Sequence, residues 1–301
     1  MESAVSEGEK FRSFRIFPNA LDIVVMAVWV FVSQVIVTLA VIGCGFIFDG
    51  FDLMSVFEGS PDTGDIFASG EMNRTQAFYM FIIYVPAMLL SIGGIFLYRH
   101  LRGGRGRAVS FLAAGLNPTL LLWGVVWMLA TEVVAEPLFG YLPDVPDFAG
   151  RGLWAVIATV ICAPLLEEIL CRGLILESVR KKYGVIMAWV VSTLFFAVIH
   201  GQITAMVNAF IIGSILGYIC IRSKSVLSSI FLHGVNNALA ITLLHFNMAD
   251  VTLSSLIPDR RIYTIVYLSA AALCTIGAVS LVFGFRKECR DEKAAKTEAE
   301  A

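Results

Sequence analysis

Apolar runs of about 20 residues recur along the chain, and they limit what it can fold into. A run of this length spans the ~30 Å hydrocarbon core of a bilayer as an α-helix. The bilayer core has no water to bond the backbone, so only helices and closed barrels cross it. The chain is 58% hydrophobic and 15% charged, whereas a soluble domain carries roughly 25% charged residues. We therefore predict an all-α, polytopic membrane helix bundle.

The apolar runs define eight candidate spans, each bounded by a polar or charged segment. When the N-terminus is placed in the cytoplasm, 17 of the 22 lysines and arginines fall in cytoplasmic segments and four fall outside, with Arg172 inside a span. This bias follows the positive-inside rule and supports an even number of spans. The predicted spans are residues 20–46, 76–98, 118–138, 152–177, 185–200, 203–221, 226–246 and 263–284.

The same pattern predicts how the chain is organised. We expect a cytoplasmic N-terminal segment (1–18), a transmembrane bundle (19–285) and a cytoplasmic C-terminal tail (286–301). The short loops and the lack of a further soluble domain favour an integral protein of a prokaryotic cell membrane. The net charge is −2, and no basic cluster is interleaved with aromatic residues. We therefore expect membrane lipids as partners and no nucleic acid.

The fourth span contains three ionisable side chains at a depth where such groups are costly. Glu168 and Arg172 are four residues apart on one helix face, with the acid on the favourable N-terminal side, so we expect an ion pair. Glu167 lies about 140° from Arg172 around the helix and cannot share that pair. An unpaired acid at a helix centre costs roughly 2.5–3.5 kcal/mol on insertion scales. Glu167 must therefore meet another polar surface or water.

Polar residues on two further spans can supply that surface. His200 follows Phe196 by four residues in the fifth span, and His233 precedes Asn237 by four residues in the seventh. Together with Glu167, these groups suit a hydrolytic centre. Glu167 would take a proton from a water molecule that His200 orients. His233 and Asn237 would donate hydrogen bonds to a developing oxyanion.

The depths of these residues fit this hypothesis imperfectly. Counting ~1.5 Å per residue from the cytoplasmic ends places Glu167 about 18 Å deep, His200 about 22 Å and His233 about 10 Å. Convergence requires tilted helices or an earlier start of the seventh span. Two other interpretations stay open, namely hydrogen bonds that only hold the bundle together and the proton relay of an ion-coupled transporter. Glu132 and Glu136 in the third span suit a transporter, although no internal repeat supports one.

Three motifs in three predicted spans, taken in order, resemble the CPBP family of intramembrane proteases. The motifs are Glu167-Glu168-x-x-x-Arg172, Phe196-x-x-x-His200 and His233-x-x-x-Asn237. This family comprises the type II CaaX prenyl endopeptidases and the bacteriocin-processing Abi group. The resemblance covers residues 110–247, which we take as the CPBP-like protease core.

The resemblance implies an endopeptidase that cuts membrane-associated, lipidated (CaaX-type) or bacteriocin-like peptides. The substrate would be a peptide or a membrane protein. An alternative function is that of a non-catalytic membrane scaffold or bacteriocin immunity protein. The motif residues are all present in this sequence, which favours the protease.

By position, the resemblance assigns water activation to Glu167 and His200, and oxyanion stabilisation to His233 and Asn237. The structural partners within the motifs are Glu168, Arg172 and Phe196. The family has been described as metalloproteases, whereas its better-characterised members resemble metal-independent glutamate proteases. If zinc is bound, Glu167, His200 and His233 are its candidate ligands, with an open fourth position. Because no HExxH motif fixes such a site on one helix, we favour a mechanism without metal or other cofactor.

Overall fold

A computed structural model describes residues 17–48, 74–104, 115–143, 152–246, 248 and 251–300. Most of the predicted N-terminal segment lies outside the described residues, as do parts of the predicted protease core (110–114 and 144–151). Where the chain is described, its regular elements are all helical, as predicted. The helices are α1 (Ala20–Phe48), α2 (Arg74–Leu101), α3 (Pro118–Phe139), α4 (Leu153–Tyr183), α5 (Val185–Val198), α6 (Ile203–Ser223), α7 (Val226–His245), α8 (Leu253–Leu256) and α9 (Arg260–Glu300).

The predicted bundle of about eight membrane helices is confirmed. Seven helices are long and apolar enough to cross a membrane, and α5 is a further apolar helix of 14 residues. The chain turns after α5 through Gly201, whose φ of 73° lies in the left-handed region that favours glycine. His200 therefore lies in the turn that follows α5. Helix α9 continues beyond the predicted span to Glu300, because its last residues are rich in the helix formers alanine, glutamate and lysine.

Ion pairs join the helices at one end of the bundle, which we call the basic end. Arg102, just after α2, pairs with Asp22 in the first turn of α1 at 3.0 Å. Glu288 of α9 accepts from Arg180 near the end of α4 and from Arg222 near the end of α6. These contacts bring the start of α1 and the ends of α2, α4 and α6 together, as alternating spans require. The side of the membrane that the basic end faces stays a prediction.

Helix α4 contains two segments of π-helix, in which each N–H bonds to the carbonyl five residues earlier. The segments Ile157–Cys162 and Ile169–Leu176 flank the short α-helical stretch that carries both glutamates. A π turn holds more residues than an α turn and advances less per residue along the axis. Glu167 therefore lies nearer the basic end than a count along an α-helix suggests. This shortening helps Glu167 to reach the level of His233, although α7 begins at Val226 as predicted.

The most deeply buried part of the core lies along α4 and α6, where Leu170, Ile175, Leu216 and Ile219 have no exposed surface. Many large apolar side chains of α1, α2 and α9 are instead exposed, as expected of helices that face lipid. Gly213 of α6 permits a close approach, because a Cβ there would lie 2.7 Å from the ring of a phenylalanine on α5. This contact brings α5 and α6 together directly beside the fourth-span ion pair.

Glu136 of the third span has a structural explanation at the opposite end of the bundle. Both carboxylate oxygens of Glu136 lie 3.0 Å from the backbone nitrogen of Leu253, the first residue of α8. The backbone N–H groups in a first helical turn lack partners within the helix, so this carboxylate caps α8. Glu136 thereby fixes the connection between α7 and α9.

Candidate active site

The four polar residues predicted to form a hydrolytic centre line one cavity of about 250 Å³. Its walls come from α2, α4, α7 and the turn after α5. Glu167 enters from α4, His200 from the turn, and His233 with Asn237 from α7. The remaining lining residues are Ala77, Met80, Tyr84, Ala155, Ala158, Thr159 and Ala163. A small cavity with mostly apolar walls and a few convergent polar groups has the character of a ligand site.

Glu167 presents one carboxylate oxygen to a tyrosine and the other to a histidine. The hydroxyl of Tyr84 donates a hydrogen bond to Oε1 of Glu167 at 2.6 Å. Oε2 of Glu167 lies 3.9 Å from Nε2 of His233, beyond hydrogen-bond distance. Among the described residues, Oε2 has no hydrogen-bond partner, although the side chain is only 11% exposed. Glu167 therefore offers the cavity an acceptor oxygen. This agrees with its predicted position about 140° around the helix from Arg172, outside the neighbouring ion pair.

Glu168 forms the predicted ion pair with Arg172, at 2.9 Å and with both side chains fully buried. Arg172 also donates to the carbonyl of Gly213 on α6 at 2.8 Å, and its guanidinium lies 4.5 Å from the centre of the Phe196 ring. These contacts offset part of the cost of burying the two charges, whereas Oε2 of Glu168 and Nε of Arg172 have no hydrogen-bond partner among the described residues. Glu168 and Arg172 thus tie α4 to α5 and α6 beneath the cavity.

His233 is fixed by the same carboxylate that pairs with Arg172. Nδ1 of His233 lies 3.2 Å from Oε1 of Glu168, and its ring packs edge-on against Phe196 with centroids 5.5 Å apart. A carboxylate oxygen in an ion pair only accepts, so Nδ1 carries the hydrogen in this contact. Nε2 then faces the cavity. The two glutamates accordingly stand on opposite sides of one imidazole ring.

Asn237 reaches the site through a carbonyl that the π-helix of α4 makes available. Its side-chain nitrogen donates to the backbone oxygen of Thr159 at 2.8 Å. In the π register Ala163 bonds to the carbonyl of Ala158, and the next residue, Pro164, has no N–H to offer Thr159. The side chain of Asn237 takes that place. An amide nitrogen carries two hydrogens, so one donor of Asn237 remains for a ligand.

His200 lines the cavity from the turn after α5. Its Nδ1 lies 2.7 Å from the carbonyl oxygen of Phe196, so Nδ1 donates and Nε2 is the acceptor of the neutral ring. The Phe196 ring packs against His200 with centroids 4.9 Å apart. Phe196 therefore orients both imidazoles of the site, His200 through its carbonyl and ring and His233 through its ring alone.

Tyr84 and Thr159 belong to the site but were not predicted. Tyr84 lies in the middle of α2, an apolar span without a recognisable motif, and resembles Tyr79 and Tyr98 on the same helix. Thr159 takes part through its backbone carbonyl, which no side-chain pattern reveals. A polar residue at the middle of a span was the only signal in the sequence that pointed to Tyr84.

The candidate zinc ligands share the cavity but do not form a ligand group. In the part of the chain that the structure describes, no three His, Cys, Asp or Glu side chains are grouped so as to hold a metal ion. Nδ1 of each histidine is engaged, His200 with the carbonyl of Phe196 and His233 with Glu168, and such bonds also accompany metal-ligating histidines. The absence of a metal therefore stays a prediction, and no chemical step is assigned to zinc.

Residues 149–239 match the family model of the type II CAAX prenyl endopeptidases, described as Rce1-like. The matched segment includes α4, α5, α6 and the part of α7 that carries His233 and Asn237. This segment of the chain is similar to the peptidases of the CPBP family. The comparisons with curated proteins and with solved structures found no match. The seven membrane-length apolar helices and the family match together support an integral membrane protein.

The ion pair of the peptidase predicts a difference between its two adjacent glutamates. We expect Glu168→Gln to lower the free energy of unfolding by about 3–5 kcal/mol, because it leaves the buried Arg172 without an anion. Glu167→Gln is the matched control, since this neighbour bonds to neutral Tyr84, and should lower it by about 1 kcal/mol or less. Thermal or SDS unfolding of the purified protein in detergent measures both. Equal losses in the two variants would contradict the assignment.

Proposed function

We propose that this peptidase is an intramembrane endopeptidase in which Glu167 and His200 activate water, and His233 and Asn237 bind the oxyanion. The observation that carries the proposal is the meeting of these four side chains on one cavity. A general base needs an oxygen free to accept a proton, and Oε2 of Glu167 meets that need. An oxyanion site needs preorganised N–H donors, which an imidazole and an amide anchored in the bundle supply.

In the proposed first step, a water molecule bonded to Oε2 of Glu167 loses a proton to that oxygen while its own oxygen attacks the carbonyl carbon of the substrate. Nε2 of His200 accepts a hydrogen bond from the same water and orients it. The new carbon–oxygen bond forms as the carbonyl electron pair moves onto oxygen, which gives a tetrahedral oxyanion. Tyr84 holds the carboxylate of Glu167 in place through its other oxygen.

The oxyanion is stabilised by the two donors of α7. We propose that His233 acts as an imidazolium, with Nδ1–H on Glu168 and Nε2–H on the oxyanion, since a carboxylate lies near each nitrogen. The second N–H of Asn237 provides the other bond. When the intermediate collapses, the carbon–nitrogen bond breaks and Glu167 returns its proton to the leaving amine. The products are a carboxylic acid and an amine, and Glu167 is regenerated as a carboxylate.

The proposed substrate is a peptide held at the membrane, with a lipidated CaaX-type C-terminus as the first choice. The family model that matches this chain is that of prenyl endopeptidases. The cavity lies among helices that cross the membrane, and Ala77, Met80, Ala155 and Ala158 give it apolar walls. A lipid anchor brings a peptide to such a site without transfer of a long polar chain into the bilayer. Bacteriocin-like peptides are the second substrate class to be compared.

We expect Glu167→Gln to lower peptide cleavage by roughly 10²–10⁴-fold, because glutamine cannot accept the proton of water. The purified protein is reconstituted in liposomes and assayed on fluorogenic peptides with a farnesylated cysteine, with an unmodified cysteine, or with a bacteriocin-like sequence. Glu132→Gln is the matched control, since it replaces another glutamate of the bundle that does not line the cavity. Unchanged turnover in Glu167→Gln, with the fold retained, would remove Glu167 as the base.

We expect Tyr84→Phe to lower kcat by roughly 10–100-fold with little change in KM, because it removes a hydrogen bond to the charged base. Tyr98→Phe is the control on the same helix, since Tyr98 donates to Asp22 at the basic end. Steady-state kinetics of the two variants in the liposome assay separate positioning from general stabilisation. A similar fall in kcat in both variants, or none in Tyr84→Phe, would refute the positioning role.

The metal-independent mechanism predicts that cleavage survives exhaustive treatment with EDTA and 1,10-phenanthroline. Elemental analysis of the active, chelated protein should then find no stoichiometric zinc. This follows because Glu167 can accept the proton directly while both histidines keep their present partners. Loss of cleavage on chelation, with recovery on addition of Zn²⁺, would establish the zinc alternative at Glu167, His200 and His233.

A further inference from the structure

A second and larger concave surface lies at the basic end, between α5 and the second half of α9. This groove has a volume of about 840 Å³ and shares no lining residue with the active-site cavity. Its apolar wall includes Ile186, Val282 and Phe283, which are all exposed. Its polar wall is formed by Arg286, Arg290 and Lys293. We call it the α5–α9 groove.

The charges of α9 are separated between two faces of the helix. Glu288 and Glu292 point into the bundle, where they accept from Arg180 at 3.1 and 2.7 Å. A further bond runs from the backbone nitrogen of Val185 to Glu292. The acids are thereby neutralised inside the protein. The cations of the groove, which follow one another at spacings of four and three residues, lie on the opposite face and are exposed.

No aspartate or glutamate of the described residues lines the groove, so its charge is positive. Arg286 lies above the ring of Phe283, with its guanidinium carbon 5.8 Å from the ring centre. The contact between Arg286 and Phe283 lies where the apolar part of α9 ends and its charged part begins. The apolar wall followed by three cations matches the order of acyl chain and headgroup in a phospholipid.

We propose that the α5–α9 groove binds an anionic phospholipid. The phosphate of the headgroup would bond to Arg286, Arg290 and Lys293, and an acyl chain would lie along Ile186, Val282 and Phe283. Basic pockets between membrane helices suit anionic headgroups, because each arginine or lysine near the surface attracts them. The arginines add paired N–H donors that match phosphate oxygens. The proposal is independent of the peptidase chemistry.

The test is native mass spectrometry of the delipidated, full-length protein in detergent. Phosphatidylglycerol and phosphatidylcholine with identical acyl chains are titrated separately. We expect preferential binding of phosphatidylglycerol, and a loss of about 100-fold in its affinity in the triple variant R286Q/R290Q/K293Q. Excess inorganic phosphate should not displace the lipid, because the acyl chain contributes to binding.

The control triple variant K287Q/R260Q/R261Q removes the same charge from exposed positions outside the groove. It should keep the wild-type affinity for phosphatidylglycerol. A further variant, Val282→Trp, keeps every charge. It should lower the affinity for phosphatidylglycerol, because the larger side chain fills the space proposed for the acyl chain. Thermal unfolding confirms that each variant is folded. Equal binding of the two lipids by the wild type, or equal losses in the two triple variants, would overturn the proposal.

Discussion

Oε1 of Glu168 accepts hydrogen bonds from both Arg172 and His233 in the dry interior of the bundle. Arg172 in turn donates to α6, and His233 belongs to α7, so one oxygen connects three helices at the floor of the cavity. In a medium with little water these bonds are strong when complete and costly when broken. The position of the proposed oxyanion donor therefore depends on an ion pair that does not itself touch the cavity.

Two adjacent glutamates acquire different tasks from the geometry of one helix. Glu168 lies on the face of Arg172, its Oε1 accepts from Arg172 and His233, and it does not line the cavity. Glu167 is turned by one residue toward α2 and meets the neutral hydroxyl of Tyr84. Its second oxygen stays available, which is the property that a general base requires. The angle between neighbouring residues of a helix thus gives two identical side chains different surroundings. Glu168 joins an ion pair, and Glu167 is placed for the proposed role of base.

Helical geometry explains how much of this could be predicted from the sequence. The Glu168–Arg172 pair and the isolation of Glu167 follow from residue spacing alone, because the partners share a helix. The eight apolar helices follow from composition and the length of the apolar runs. Tyr84 could not be predicted, since its contact with Glu167 joins residues 83 positions apart and three tyrosines of α2 look alike in sequence. The helical continuation of α9 through residues 286–300 could not be predicted from the apolar runs, because these mark only the membrane-facing part of a helix.

The π-helical segments of α4 determine where Asn237 is held, and this effect is the hardest to read from the sequence. Local sequence gives no clear sign of them, yet the register they impose directs the N–H of Ala163 to Ala158 and leaves Thr159 facing Pro164. A carbonyl in a membrane interior that lacks a donor is costly, so the fold must supply one from another helix. Asn237 does so, and Gly234 on the same helix permits the approach, because a Cβ there would lie 3.3 Å from the carbonyl oxygen of Val160. A proline that cannot donate thus determines where the amide of α7 is held, one turn of the helix away from His233.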